Sequence, residues 1–377
     1  MRINKTIFVL LLISIFFVSG CFQEKTIEIG FVGSLSGSSF ELGLPAKNGF
    51  ILGVEEINKN GGINGQKIIP IIKDDQSDPT LAYDIGLEFA DEDVTFVVGH
   101  LTSNMLDGVF KTLEEKDMFY ISPTMSTSLL GNIDDSFFSV NTVSDTEADG
   151  HYEILVKRNP AKRVAVIYDI GNKAFTEPIF KRFEKQYIES GGEIVYVNTL
   201  DTEIKDYATI VDEIIESKAD GLMLITNTVD TSNILQQLGK NKYPIVRTIT
   251  GWSMNEDLIT RSGKSVEGAY VISSHHVDLE RENYQVFLEK YKERFKQEPA
   301  FSSHFAYDAI TVLGQGLSES KEATPEDVKK KLIEIGSVEG VQSDISINKF
   351  GDTMRTMNII QVKDGEFVEI GAIQPQK

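Results

Sequence analysis

From Thr26 onward, short apolar runs alternate with amphipathic ones, and no other feature of the sequence narrows its fold so far. Ile27 to Val32 reads as a strand. The stretch from about Gly43 to Lys59 follows as a helix, with Ile51, Val54 and Ile57 on one face. Lys67 to Lys73, Thr95 to Val98 and Phe119 to Ser122 are further predicted strands, separated by predicted helices over Pro79 to Glu92 and Leu106 to Lys116. A helix between successive strands carries the chain back to its starting edge, so the strands run parallel with right-handed crossovers and are covered on both faces. That is the doubly wound α/β class.

The rhythm restarts after Val140-Asn141-Thr142. Arg163 to Tyr168, Glu193 to Thr199, Gly221 to Ile225, Val246 to Thr250 and Gly268 to Ile272 are predicted strands, with helices near Thr176 to Ser190, Tyr207 to Ser217 and Thr231 to Leu238. Two series imply two Rossmann-like lobes, as does a length of 377 residues, which exceeds what one core usually serves. Helices over Arg281 to Phe295 and Ser302 to Leu317 read as a return to the first lobe. Asn358 to Ile370 alternates like a β-hairpin around Lys363-Asp364-Gly365. No repeat or low-complexity linker separates the lobes, so short crossings must join them.

The first twenty residues read as an export signal. Arg2 and Lys5 precede an apolar run from Ile7 to Val18, broken by Ser14 and too short to span a bilayer. The run ends in Val18-Ser19-Gly20-Cys21, which resembles the bacterial lipobox, in which the cysteine is acylated and becomes the first residue. Residues 1–20 are therefore expected to be a lipoprotein signal peptide and Cys21 the lipidation site, on the outer face of a membrane or in the periplasm. Cys21 is the sole cysteine, so no internal disulfide forms. Stable anchoring needs more than one acyl chain.

The net charge is −20, and loss of Arg2 and Lys5 with the signal takes it to −22. A chain so acidic does not suit nucleic acid or anionic lipid head groups. It leaves open an anionic ligand, which answers to local donors.

The ordered set Gly33-Ser34-Leu35-Ser36-Gly37, Asn48-Gly49, Glu56-Ile57-Asn58 with Gly61-Gly62-Ile63-Asn64-Gly65, Asp74-Asp75-Gln76-Ser77-Asp78-Pro79, Val98-Gly99-His100, Ile121-Ser122-Pro123 and Ala306-Tyr307-Asp308-Ala309 resembles the type I periplasmic binding proteins of the branched-chain amino acid transporter group. The likeness spans essentially the whole chain after the signal. It implies a ligand cleft between the lobes and three hinge crossings, near Val143 to Asp145, Ser273 to Val277 and Val341 to Ile345. Lobe one is then 26–143 plus 275–341, and lobe two 144–274 plus 342–377. The implied partners are a small solute, an ABC permease and its ATPase, and the membrane through the lipid; a monomer without cofactor or metal is expected.

Ligands of open parallel sheets sit beyond the carboxyl ends of the strands, where helix N-termini expose N–H groups. Small hydroxyl residues stand there in Ser34 to Ser36, Thr102-Ser103 and Thr124 to Thr127, a set suited to a carboxylate. The resemblance gives Ser103 the ligand carboxylate, Thr124 a carbonyl contact and Ser126 a hydroxyl contact, with Ser36 as a further candidate. Asp230, after the strand Leu222 to Ile225 and before a helix, is the candidate acceptor for a ligand ammonium, since the resemblance implies an acid there; Gly251-Trp252-Ser253 stands where the branched-chain binders carry a glutamate, a departure that leaves the ligand open. On that reading Asp230→Ala abolishes binding and leaves folding intact. Phe175, at a place where the family often has tyrosine, and Trp252, the sole tryptophan, are expected to wall the cleft, with Phe40 a further aromatic near it.

Catalysis is not expected. Gly33 to Gly37 centres on Leu35 rather than a nucleophile, no dinucleotide fingerprint follows the first strand, and Gly263-Lys264-Ser265 lacks the upstream P-loop glycine. Adjacent His275 and His276 would face opposite sides of a strand, and His100, His151 and His304 show no metal-ligand spacing. The alternatives to an amino-acid importer subunit are a sensor lipoprotein of the same fold feeding a signalling receptor, and a binder of amides or other carboxylates.

Overall fold

The computed structural model describes residues 25–201, 206–275 and 280–374. Cys21, the signal and His276 lie outside the described residues. Among the described residues no helix is long and apolar enough to cross a membrane.

The first half folds as β1 (Thr26–Gly33), α1 (Phe40–Lys59), β2 (Lys67–Asp74), α2 (Leu81–Asp91), β3 (Phe96–Val98), α3 (Leu106–Glu115), β4 (Phe119–Ser122) and β5 (Phe137–Ser139). These five strands form one parallel sheet in the order β2-β1-β3-β4-β5. Ile29, Phe31, Val98 and Ile121 point to one face and Val32, Val97 and Tyr120 to the other, so both faces are covered.

The second series is α4 (Asp145–Tyr152), β6 (Arg163–Asp169), α5 (Lys173–Glu189), β7 (Glu193–Leu200), α6 (Tyr207–Glu216), β8 (Gly221–Ile225), α7 (Thr228–Asn241), β9 (Val246–Thr250), α8 (Glu256–Ser262) and β10 (Tyr270–Ser273). A π-helical stretch, Glu153–Arg158, extends α4. The chain then makes α9 (Glu282–Phe295), α10 (Phe301–Glu319), α11 (Pro325–Ile335) and three short strands, β11 (Ser337–Val338), β12 (Ile345–Ile347) and β13 (Thr353–Met354). It ends with β14 (Met357–Lys363) and β15 (Glu366–Ile373). The second sheet runs β15-β14-β10-β9-β8-β6-β7, antiparallel only where the terminal hairpin joins it. The hairpin turns at Asp364 and Gly365, both with positive φ, as the Asp-Gly pair predicts.

α10 returns to the first sheet and packs along α1, with Phe305, Ala306, Ala309, Ile310 and Leu313 in the same core as Phe50 and Val54. The helices approach closely because Gly49 faces the backbone of Ser303; a Cβ there would fall on the Ser303 carbonyl.

The third crossing falls later than the sequence reading placed it. Ile345 and Ile347 are buried in the first core, and Thr353 Oγ1 donates to Ser139 O at 2.5 Å. Residues 342–354, expected in lobe two, therefore pack with the first sheet, and the chain joins the second sheet only at Met357. The cause is the small antiparallel sheet β11-β12-β13, whose two- and three-residue strands leave no periodic signature.

Candidate functional site

Loops leaving the carboxyl ends of strands in both sheets converge on one cavity of about 50 Å³. From the first sheet come Leu101 and Ser103 after β3, and Thr124 and Ser126 after β4. From the second come Asn172 and Phe175 after β6, Gly251 and Trp252 after β9, and Ser274 and His275 after β10. Asn141, Glu147 of α4, Leu42, Phe301, Phe305 and Met357 close the wall. Two open parallel sheets thus present their strand ends to one space, the arrangement that favours ligand binding at topological switch points.

The first-lobe wall is a hydrogen-bonded lattice. Ser103 Oγ donates to Ser126 O and accepts from Ser126 N, both at 3.2 Å. Thr124 Oγ1 donates to Leu101 O at 2.6 Å, and Asn141 Nδ2 donates to Thr124 O at 3.1 Å. Ser126 Oγ donates to Thr142 O at 2.7 Å, tying the wall to the first crossing. These side chains are pre-oriented by the backbone, so little rotamer entropy remains to be lost on ligand contact.

The second-lobe wall is aromatic. Phe175 and Trp252 meet edge to face, with centroids 6.0 Å apart and an interplanar angle of 82°. Trp252 packs against both lobe cores, so it spans the cleft. His275 stacks on Phe301 at 4.7 Å, and its Nδ1 lies 2.9 Å from Ser273 Oγ. A histidine that the sequence reading set aside is therefore part of the wall.

Asn104 fastens the lobes together. It follows Ser103 on the first lobe, donates through Nδ2 to Gly171 O at 2.5 Å, and accepts at Oδ1 from Ala174 N at 2.9 Å in the first turn of α5. Its own N–H donates to Asn172 Oδ1 at 3.3 Å. The conformation is thus a closed one, with a helix N-terminus of one lobe satisfied by a side chain of the other.

Two predicted site residues stand elsewhere. Ser36 is exposed, and its Oγ donates to Asp74 Oδ2 at 2.6 Å, closing the turn after β1. Asp230 is buried in the first turn of α7 but does not line the cavity. Its Oδ1 accepts from Tyr207 Oη at 2.5 Å and its Oδ2 from Asn227 Nδ2 at 2.9 Å. A carboxylate that answers two groups of its own lobe braces the α6–α7 pair. Phe40 opens α1, half exposed to solvent, and is absent from the wall.

The carboxylate that does reach the cavity is Glu147. It is 5% exposed and accepts from Gly251 N at 2.9 Å. Burial pushes its carboxyl up to about 8, against the lowering effect of that single N–H. Among the described residues no cluster of His, Cys, Asp and Glu has the grouping to hold a metal ion.

Residues 26–366 match the model of the family described as "Periplasmic binding protein". The leucine-, isoleucine-, valine-, threonine-, and alanine-binding protein of Pseudomonas aeruginosa is 21% identical over 317 residues, covering 84% of each chain. A leucine binding protein from Thermotoga maritima superposes with a TM-score of 0.83 at 19% identity, over 93% of this chain and 99% of that one. The branched-chain amino acid transporter substrate binding protein of Streptococcus pneumoniae, solved with isoleucine, gives 0.82 at 23% identity, over 93% and 100%.

Proposed function

The chain belongs to the periplasmic binding protein family, and we propose that it is the extracytoplasmic solute-binding subunit of an ABC importer, capturing a small amino acid by closure of its two lobes. The observation that carries this reading is the cavity between the lobes, with hydroxyl and amide groups on one side and Phe175 and Trp252 on the other. Ser103, Thr124, Ser126, Phe175 and Trp252 are the ligand contacts in this reading. Ligand carboxylate meets the hydroxyl lattice of lobe one first. Lobe two then swings on the three crossings and is held by Asn104. Capture of this kind makes and breaks no covalent bond. It requires only that the ligand prefer the closed state. The permease would recognise that closed state.

The relatives named above include a leucine-, isoleucine-, valine-, threonine-, and alanine-binding protein and a transporter substrate binding protein solved with isoleucine, which supports an amino acid as ligand. A panel of amino acids tested by thermal shift decides the matter. At a hundredfold excess over Kd, the true ligand should stabilise by about 2.7 kcal/mol, which raises the melting temperature by several degrees. No stabilisation by any of them would refute the reading.

The same proposal puts a monomer at the membrane through lipid on Cys21, after removal of residues 1–20. Cys21→Ser should move the protein from the membrane to the soluble fraction. Retention of the variant on membranes would disprove the anchor.

A further inference from the structure

Glu147 is the one carboxylate in the cavity wall among the described residues, and no lysine or arginine joins it there. It is held by α4, immediately after the first crossing, and it accepts a hydrogen bond from the N–H of Gly251 beside Trp252. A carboxylate in such surroundings is poorly solvated and gains strongly from a cation placed within hydrogen-bond reach. The remaining polar wall is made of hydroxyls, side-chain amides and His275, without a second acid, and the Ser103 and Ser126 hydroxyls would turn their protons from Ser126 O and Thr142 O to meet an anion. The cavity is therefore bipolar, with its acid and its hydroxyl lattice on different lobes.

We infer that Glu147 is the residue that receives the ligand's cationic end, and that the site selects a small zwitterion, ammonium toward Glu147 and carboxylate toward Ser103 and Ser126, over the same carboxylic acid without its amino group. This rests on the proposed capture of an amino acid and adds to it a specificity-determining residue. It replaces Asp230, whose two oxygens are engaged within lobe two. Because the ion pair would bridge the lobes, it would form only on closure, so the amino group itself would drive the closed state. Glu147 would then serve recognition and closure together.

Calorimetry on the purified protein with L-alanine, L-serine and L-threonine, and with L-lactate as the hydroxy counterpart of alanine, tests this. The unsubstituted protein should prefer alanine over lactate by about thirtyfold or more, the scale of a buried charge pair losing one partner. Glu147→Gln keeps an acceptor for Gly251 N–H and removes the charge. It should erase most of that preference while Glu147→Asp retains part of it. Amino acid binding that is equally tight in Glu147→Gln would overturn the role of Glu147 and leave the proposed function standing. Lactate bound as tightly as alanine by the unsubstituted protein would overturn the zwitterion class, a result that needs no variant to fold. Failure of the unsubstituted protein to bind any of the four would overturn the inference as well, and the wider amino acid panel would then show whether the proposed function falls with it.

Discussion

Ser103 and Ser126 hold each other by two hydrogen bonds, the Ser103 hydroxyl donating to the Ser126 carbonyl and accepting from the Ser126 N–H, each at 3.2 Å. The hydroxyl is thus the clasp on the loop that carries Thr124 and Ser126, and its one proton must turn from the Ser126 carbonyl before it can serve a ligand carboxylate. Ser103→Ala should lower stability by about 1 kcal/mol, the net worth of a neutral hydrogen bond. Ligand affinity should fall further, by about tenfold or more, because the loop loses its register as well as a contact. Melting curves and titration calorimetry on one preparation separate the two effects.

The buried carboxylate of Asp230 receives Tyr207 Oη and Asn227 Nδ2, so its removal strands two donors inside lobe two. Asp230→Ala should cost about 1–3 kcal/mol of stability. Ligand affinity, measured where the variant is folded, should stay within about threefold of the original. This reverses the outcome that the sequence suggests. A large loss of affinity with an unchanged melting temperature would return Asp230 to the site.

The contrast between Asp230 and Glu147 shows what sequence can carry. Strands such as Gly221–Ile225 and helices such as Tyr207–Glu216 lie where apolar periodicity put them, because burial on the faces of a parallel sheet leaves a local imprint. Ser103, Thr124, Ser126, Phe175 and Trp252 stand at strand ends, which the same rhythm marks. Glu147 leaves no such imprint. Ser144-Asp145-Thr146-Glu147 matches the S-x-x-E pattern of a capping box, and the acid-rich stretch resembles a solvated helix start. Instead Ser144 makes no side-chain cap bond, and Glu147 reaches Gly251, 104 residues away. Contacts of that separation are made by tertiary packing. The S-x-x-E pattern beside a hinge crossing was the one available hint.

Glu147 should also make the protein respond to pH. Burial holds its carboxyl at about 8 in the folded protein, whereas the ordinary value is 4.5. Between those values the folded chain keeps a proton that the unfolded chain releases. The contribution of this group to stability is therefore full below about 4.5 and is lost as pH rises through about 8. Binding an ammonium runs the other way, since it needs the carboxylate. Affinity for the amino acid should rise with pH up to about 8, by at most about tenfold per unit. The nearest guanidinium on α5, Arg182, is committed to Asp149 at 2.9 Å and to Asp145 at 3.3 Å, while His275 is the other titratable group of the cavity wall. Glu147→Gln should flatten both profiles between pH 5.5 and 8.5. A binding profile unchanged in the variant would show that Glu147 is not the group whose titration governs affinity.

Arg355 lies where the chain leaves the first lobe for the second, and it is 3% exposed. Its Nε donates to Val140 O at 2.7 Å, Nη1 to Ser343 Oγ at 3.0 Å and Nη2 to Asp308 Oδ2 at 3.5 Å, with the guanidinium 4.7 Å over the Phe305 ring. One side chain therefore gathers the start of the first crossing, the third crossing and α10. Asp308 accepts from Val341 N at 2.8 Å with its other oxygen, and burial lifts its carboxyl to about 6 even beside the arginine. Arg355→Met leaves that acid buried without its cation and should cost about 3–5 kcal/mol in denaturant unfolding. Removing both charges in Arg355→Met with Asp308→Leu should be less harmful than the single change, because no unpaired charge remains. If the double variant is as unstable as the sum of the singles, the pair acts as two independent braces and the charge on Asp308 is not what the arginine answers.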